Sequence, residues 1–506
     1  MEKRLILAIA LSLLILLSWS TFVAKTQNLA NKEVATINIP AQHNAAEPAA
    51  PLPLEQKLPS PSLVKYTQEK LEVTFIEPQA AVQEVIFKTY RGYRFPLKYG
   101  FLVGDKSLAF KKESASADDV VFVYSDQAKK ITKKFLFSPS DYGLWLELSV
   151  ENLSLQPLAL DLPVVLGVLD FAASAIEARY QEVAVSAKEK TLHLNARRDV
   201  VLGEIEFLSI RDRYFCSIIE PASNSNTGFI KKLNPHESEV GLILNKITLA
   251  PGQRIEQKFH IYLGPQDLGL INAIEPRWST VINYGMFDII AQMLLWLLHF
   301  FYGVVHNWGW AILILSLTVY LLLFPLSLKQ MRSMKAMQLL QPHIEELRKT
   351  YKDNPQRLNK EIMELYRAHK VNPLGGCLPL VLQMPIFFAL YQALMRSVVL
   401  RGAPFLWIKD LSEPDRLFIL PVSLPILGNE INILPLLMTL GMFIQQKVSS
   451  PATASGSAAE QQKAMLVIMP LMFGFIFYKM PSGLVLYWFT NSTLMLLYQI
   501  RTIRKK

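Results

Sequence analysis

Cysteine is almost missing from this chain: Cys216 and Cys377 are the only two among 506 residues. Two thiols cannot form a disulfide framework, and no Cys/His spacing suits a metal ion. Charged residues are sparse too, at 19%. There is no Gly-x4-Gly-Lys-Ser/Thr loop to cradle a nucleotide, and no His-Glu-x-x-His or Gly-x-Ser-x-Gly motif to carry hydrolysis. The sequence therefore offers no catalytic residue, no metal ligand set and no cofactor site. What it does have is apolar surface. Hydrophobic residues make up 51%, concentrated at the N-terminus and after Gly285, as in a membrane protein that carries a soluble domain. The net charge of +10 clusters beside the apolar segments. That is a topology signal and not a DNA-binding face.

Residues 1–24 read as a transmembrane anchor: Lys3 and Arg4 precede an uncharged run from Leu5 to Val23. Thr21 to Lys25 makes a poor cleavage site, so the anchor is expected to stay, with a removable signal peptide as the alternative. Residues 25–62 form a linker with six prolines between Pro40 and Pro61, expected to be extended. Residues 63–268 alternate with period two at Lys70–Phe75, Asp119–Tyr124, Leu144–Val150 and Ile255–Leu263, which predicts an all-β sandwich. His193, His236 and His260 each stand alone there and read as ordinary surface or core histidines. Residues 269–306 are expected to hold a connecting segment and a helix lying in the membrane interface, since Asp288, Gln292 and His299 interrupt its apolar run.

The remainder, 307–500, predicts five spans at 308–328, 377–399, 431–446, 464–480 and 483–500. The first is 21 uncharged residues, which as a helix reach roughly 31 Å, about one hydrocarbon thickness. Between the first two spans, Lys329 to Gly376 holds ten Lys/Arg and five Asp/Glu. That segment and the basic tail 501–506 belong in the cytoplasm by the positive-inside bias. Six crossings bring both termini to the same side and leave the β domain outside. Residues 329–370 predict a cytoplasmic helical hairpin, with Met331, Met334 and Met337 on one arm, Leu358, Ile362 and Leu365 on the other, and Pro355 opening the second. Flexible methionines suit a surface that receives many hydrophobic chains; equally, they could pack one arm on the other.

An ordered set of short motifs carries more information: Leu340-Gln-Pro-His-Ile344, Val371-Asn-Pro-Leu-Gly-Gly-Cys377, Leu382-Gln-Met-Pro-Ile-Phe387, Ala403-Pro-Phe-Leu-Trp407, Asp410-Leu-Ser412 and Pro481-Ser-Gly-Leu-Val-Leu-Tyr487. Together they resemble the YidC family of insertases, closely over about 285–500. The anchor, linker, β domain and Tyr262-Leu-Gly-Pro265 resemble its Gram-negative branch. The resemblance implies a bacterial inner-membrane protein with a periplasmic domain that inserts and folds membrane proteins without nucleotide hydrolysis, alone or with the Sec translocon. It implies five spans around a polar groove, open to cytoplasm and lipid and closed outside. It also implies nascent membrane proteins, the Sec translocon, the lipid bilayer and possible ribosome contact as partners, and no DNA. The groove candidates are Ser316, Tyr320, Gln383, Tyr487, Trp488 and Asn491, and Asn372, Pro373, Gly375 and Gly376 form the family's loop motif. At Tyr320, five residues before Pro325, the family usually carries an arginine.

Three other readings compete. A secondary transporter would show repeated halves or acidic residues inside spans, and neither is present. An enzyme would need a nucleophile paired with a base. A folding chaperone that acts only with the translocon differs from an independent insertase in its dependence on that partner.

Overall fold

The computed structural model describes residues 62–504 except 161, 173–176, 188–189, 223–225, 245–246, 353, 370, 372–377, 425–427 and 450–456. The expected anchor, nearly all of the linker, and Asn372, Pro373, Gly375 and Gly376 lie outside the described residues. The chain divides into two compact units between Ile282 and Asn283.

The first unit is built on a nine-stranded sheet. Its order is Lys190–Leu194, Glu182–Ala187, Phe207–Arg211, Phe215–Pro221, Arg254–Pro265, Gly143–Asn152, Lys129–Phe137, Asp119–Ser125, Lys111–Ala115. All neighbouring strands in it run antiparallel. A four-stranded sheet (Leu63–Thr67, Leu71–Ile76, Ala81–Phe87, Tyr93–Gly100) packs on it. There Phe75 meets Phe122 and Phe135 at 5.3 and 5.1 Å, and Phe87 stacks on Phe215 at 4.1 Å. A five-stranded sheet (Val200–Ile205, Asn226–Asn234, Glu237–Ile243, Pro163–Asp170, Leu102–Val103) packs through Gly167, whose missing Cβ leaves room for Ile210. Two smaller sheets against one large one make the sandwich that the period-two segments predict, and those four segments fall on strands, with Lys70 alone just ahead of its strand.

In strand Lys129–Phe137 alternate residues face inward, so Ile131, Lys133, Phe135 and Phe137 are buried. Lys133 is an unexpected member of that row. Its ammonium donates to the carbonyls of Ala80 and, at 2.6 Å, Phe101. Both acceptors sit at left-handed bends, φ 44° and 60°, outside the regular strand ladder. Burial pulls its pKa down to about 7, and the two accepting carbonyls act the other way by favouring the charged form.

The β unit continues past the boundary expected at 268. Helix α1 (Leu268–Ile274) is capped by Asp267, which accepts from the amides of Gly269 and Leu270. The 3₁₀ turn Pro276–Val281 then buries Trp278 fully, with its indole N–H donating to Glu220 at 2.7 Å. Arg211, 2% exposed, pairs with Glu182 and donates to the Val281 carbonyl at 3.1 Å. Cys216 is buried and free, and burial pushes its thiol pKa up.

The second unit is helical: α2 (Asp288–Val305), α3 (Trp308–Leu339), α4 (Gln341–Thr350), α5 (Pro355–Ala368), α6 (Leu378–Arg396), α7 (Ile433–Ser449), α8 (Ser457–Phe477) and α9 (Ser482–Arg504). Helix α9 packs on α3 and α7, α8 on α7, and α2 on α3 and α6. By length and composition alone, Gly285–Val305 and Trp308–Met337 could each cross a membrane, and Ile433–Val448 and Leu466–Phe477 are shorter apolar helices. Helix α2 buries Ala291, Leu294 and Leu298 and exposes an apolar stripe of Ile289, Met293, Trp296, Phe300 and Val304. Its first turn holds Asp288, which accepts from the Tyr284 amide and from Gln292.

The hairpin differs from expectation in its first arm. Met331, Met334 and Met337 belong to α3, which runs unbroken from the span to Leu339, and the chain re-forms as α4 at Gln341-Pro342. The reason is local: nothing between 328 and 339 interrupts a helix, whereas Pro342 has no amide to continue one. The second arm begins as expected, with Asn354 accepting from the Arg357 amide and Pro355 in the first turn.

Candidate functional site

Polar residues are few on the apolar helices of the second unit, and each has to answer for its backbone surroundings. In a helix every interior carbonyl already accepts an amide four residues on. A hydroxyl can share such a carbonyl. Ser316, fully buried, donates to Ile312 at 2.7 Å, and Thr318 donates to Ile314 at 2.8 Å. One turn after Ser316 on the same face of α3 stands Tyr320. Its ring lies 5.8 Å from Phe324, which meets Tyr498 of α9 edge-on at 5.0 Å. The Tyr320 hydroxyl is buried and has no hydrogen-bond partner among the described residues.

On α9, Tyr487 is fully buried and accepts from the Gln383 amide of α6 at 2.9 Å. Asn491, one turn later, donates to the Tyr487 carbonyl at 3.1 Å. The fold thus joins Gln383, Tyr487 and Asn491. Trp488 has a different neighbourhood: it packs in an aromatic cluster with Phe387, Phe473 and Phe477, at 5.2, 5.7 and 5.3 Å. Of the hairpin positions, Met331, Met337, Leu358, Ile362 and Leu365 are half-buried. Leu340 and Ile344, at the joint between α3 and α4, are the buried pair.

Sequence reasoning missed the hydrogen-bonded cap at one end of the bundle. Ser482 and Gly483 open α9 and donate their amides to the carbonyls of Glu413 and Leu411, at 2.8 and 2.9 Å, and the Ser482 hydroxyl donates to Asp410 at 2.9 Å. These are the amides that a helix N-terminus leaves without internal partners. Asp415, buried, accepts from the Leu434 amide of α7 at 2.8 Å and from the Trp407 indole at 3.3 Å. Asn432 donates to the Tyr478 carbonyl at 2.8 Å and accepts from the Arg416 amide at 2.9 Å. Gly309 at the start of α3 faces Phe405, and a Cβ there would collide with the ring. At the same end Arg396, the last residue of α6, donates to the Asn283 carbonyl at 2.6 Å. Aspartate and asparagine just ahead of an apolar run signal a helix start; which loop each would bind is a long-range matter.

No group of acidic, histidine or cysteine side chains suited to a metal occurs among the described residues. Residues 101–297 match the family model described as the YidC periplasmic domain, and residues 300–506 that of the 60Kd inner membrane protein. The membrane protein insertase YidC of Pelobacter propionicus is 32% identical over 543 residues, which cover 98% of this chain and 97% of that protein. The Syntrophobacter fumaroxidans protein of the same name is 35% identical over 383 residues, covering 73% of this chain and 68% of it. A crystal structure of an active YidC insertase with its first transmembrane domain resolved aligns at a TM-score of 0.42 and 21% identity, over 87% of this chain and 92% of that one.

Proposed function

The chain belongs to the YidC family of membrane protein insertases, inner-membrane proteins with a periplasmic domain, and from that premise we propose how its own residues receive a substrate. The spans are the anchor 1–24 and the segments 308–328, 377–399, 431–446, 464–480 and 483–500. Both termini and the hairpin 329–370 are cytoplasmic, and the β domain is periplasmic. Helix α2 lies in the interface, where Asp288, Gln292 and His299 meet water and the Ile289–Val304 stripe meets lipid. The cap formed by Asp410, Leu411, Glu413 and Asp415 closes the outer end.

Inside the bundle, Ser316, Tyr320, Gln383, Tyr487 and Asn491 form the polar groove, with Trp488 and its aromatic neighbours as an apolar wall. A substrate's polar flank enters from the cytoplasm while its apolar segment slides along the lipid-facing side. A charged side chain at the centre of a span costs about 2.5–3.5 kcal/mol by insertion measurements, and a groove lined with hydroxyls and amides shortens the hydrocarbon it must traverse. Removing apolar substrate surface from water, at roughly 25 cal/mol per Å², drives the process, and no nucleotide is involved. The half-buried methionine and leucine faces at 331–337 and 358–365 receive incoming chains, the 372–376 loop links the hairpin to the next span, and the Sec translocon and the ribosome are the partners on either side of this step.

The observation that carries this reading is the Tyr320 hydroxyl, buried on α3 without a partner. An unsatisfied buried polar group costs about 1–3 kcal/mol, and a passing polypeptide backbone would satisfy it. Here it stands where the family usually carries an arginine, so the groove is polar without a central cation. The test uses purified protein in liposomes and a two-span substrate scored by protease protection. Tyr320→Phe should lower insertion about fivefold, the equivalent of one hydrogen bond of about 1 kcal/mol, and Ser316→Ala less, while Arg396→Ala leaves it near wild type. The reverse ranking sinks the groove assignment. Protection that appears only when the translocon is added would make the protein a translocon-linked chaperone.

A further inference from the structure

Between the outer cap and α7 lies an element that the groove mechanism does not use. Strands Phe418–Leu424 and Gly428–Ile431 pair antiparallel as a sheet of their own, with Phe418 opposite Ile431, Ile419 opposite Glu430, Leu424 opposite Gly428, and an irregularity between Ile419 and Leu424. Three apolar side chains of its first strand are uncovered: Phe418 is 59% exposed, Ile419 69% and Val422 68%. Phe418 and Ile419 are consecutive, so they point to opposite faces. The first strand is therefore apolar on both faces, while the second sets Glu430 beside Ile419 and exposes Asn429.

Two environments are excluded on physical grounds. An isolated two-stranded hairpin is marginal in water, and apolar surface on both faces adds to that penalty. The hydrocarbon centre is no better, because the open strand edges carry amides and carbonyls that lipid tails cannot satisfy, at several kcal/mol each. The headgroup and upper acyl region supplies both apolar contact and hydrogen-bond partners. Pro421 lies within the first strand and removes one donor from it.

The base of the ribbon is firm. Arg416 pairs with Glu430 at 3.0 Å and its amide donates to Asn432 at 2.9 Å, while the Leu417 amide donates to Ile431 at 3.0 Å. From Asn432 the chain enters α7, whose Leu436 and Leu440 are 49% and 55% exposed and continue the apolar surface. We propose that this hairpin docks on the outer-leaflet lipid surface, seated at the headgroup–acyl boundary, and fixes the depth of the cap beneath it. The proposal rests on the topology above, which puts the loop outside.

The experiment uses the full chain with Cys377→Ser in proteoliposomes, carrying a fluorophore at Val422→Cys or, as a reference, Leu440→Cys. Quenchers are lipids spin-labelled near the headgroup, lipids spin-labelled near the chain end, and aqueous iodide. At Val422 shallow-lipid quenching should exceed deep-lipid quenching by about twofold, as for a group seated 5–10 Å into the boundary, with iodide weak. At Leu440 deep-lipid quenching should dominate. Strong iodide quenching at Val422 would put the ribbon in water, dominant deep quenching would put it in the core, and protection from all three quenchers would mean that protein covers it; each overturns the proposal. Iodide access at Leu440 would overturn it together with the span assignment of α7, whereas failure at Val422 alone leaves the insertase reading standing.

Discussion

In the β domain a lysine and an arginine are fully inside; in the helical unit the buried polar side chains among the described residues are hydroxyls and amides, with Asp415 in the capping loop. The difference lies in where each architecture leaves spare carbonyls. A sandwich has bends, and Ala80 and Phe101 sit at such bends with carbonyls that Lys133 can bind. Arg211 likewise reaches the Val281 carbonyl, at the end of a 3₁₀ turn. A continuous helix leaves no carbonyl over except at its end. Along α3 Pro325 frees the Leu321 carbonyl, whereas Ser316 shares a carbonyl that is already bonded. The β domain uses buried polarity to fix its own shape; the bundle leaves the Tyr320 hydroxyl without a hydrogen-bond partner among the described residues.

The comparison can be broken by removing each kind of group. The largest effect should come from Arg211→Met, which takes one partner from Glu182 and the donor from the Val281 carbonyl. Breaking a buried pair costs about 3–5 kcal/mol, and hydrogen exchange over 276–282 should accelerate accordingly. Unchanged protection there would mean that the arginine does not hold the turn.

Lys133 should show itself through pH. Its folded pKa of about 7 lies below the ordinary 10.5, so between those values the unfolded chain binds more protons and stability rises with pH. Denaturant unfolding of the full chain in nanodiscs across that window should trace the rise. Lys133→Met should flatten the slope and, by leaving two carbonyls without a donor, lower stability by about 1–3 kcal/mol in all. A slope that survives the substitution would assign it to another group.

The smallest effect belongs to the bundle. Gln383→Leu removes the bond to Tyr487, and such interhelical bonds in membranes average about 0.6 kcal/mol. Thermal unfolding in nanodiscs should move little while insertion falls. A stability loss as large as that of Arg211→Met would mean that the two regions use buried polarity alike.

Strand positions were legible because alternation is local: Leu144–Val150 and Ile255–Leu263 fall within paired strands. Lys133 was not, since a lysine at an inward position reads as an outward one until its acceptors, distant in sequence, are brought to it. Trp278 was hidden in the same way, in a segment whose proline and short apolar run resemble a connector. Pro421, Pro425 and Gly428 break up the apolar run ahead of the span expected at 431–446, and the paired strands Phe418–Leu424 and Gly428–Ile431 depend on contacts that such breaks do not reveal. Of the groove candidates, Gln383 and Asn491 stood out as polar residues in apolar runs, whereas Tyr487 came from the family resemblance. That Trp488 would sit among Phe387, Phe473 and Phe477 is a matter of helix packing across the bundle.

Helix α3 is 32 residues long, roughly 48 Å at 1.5 Å per residue, against about 30 Å of hydrocarbon. On the topology proposed above, about a third of it stands clear of the membrane as a stiff continuation of the span. On that reading a chain settling on Met331 or Met337 would push on a lever whose other arm carries Ser316 and Tyr320. The softest point of that lever is Pro325, which has no amide to bond Leu321, so a tilt at the Leu339 end bends the helix there, about one turn before Tyr320.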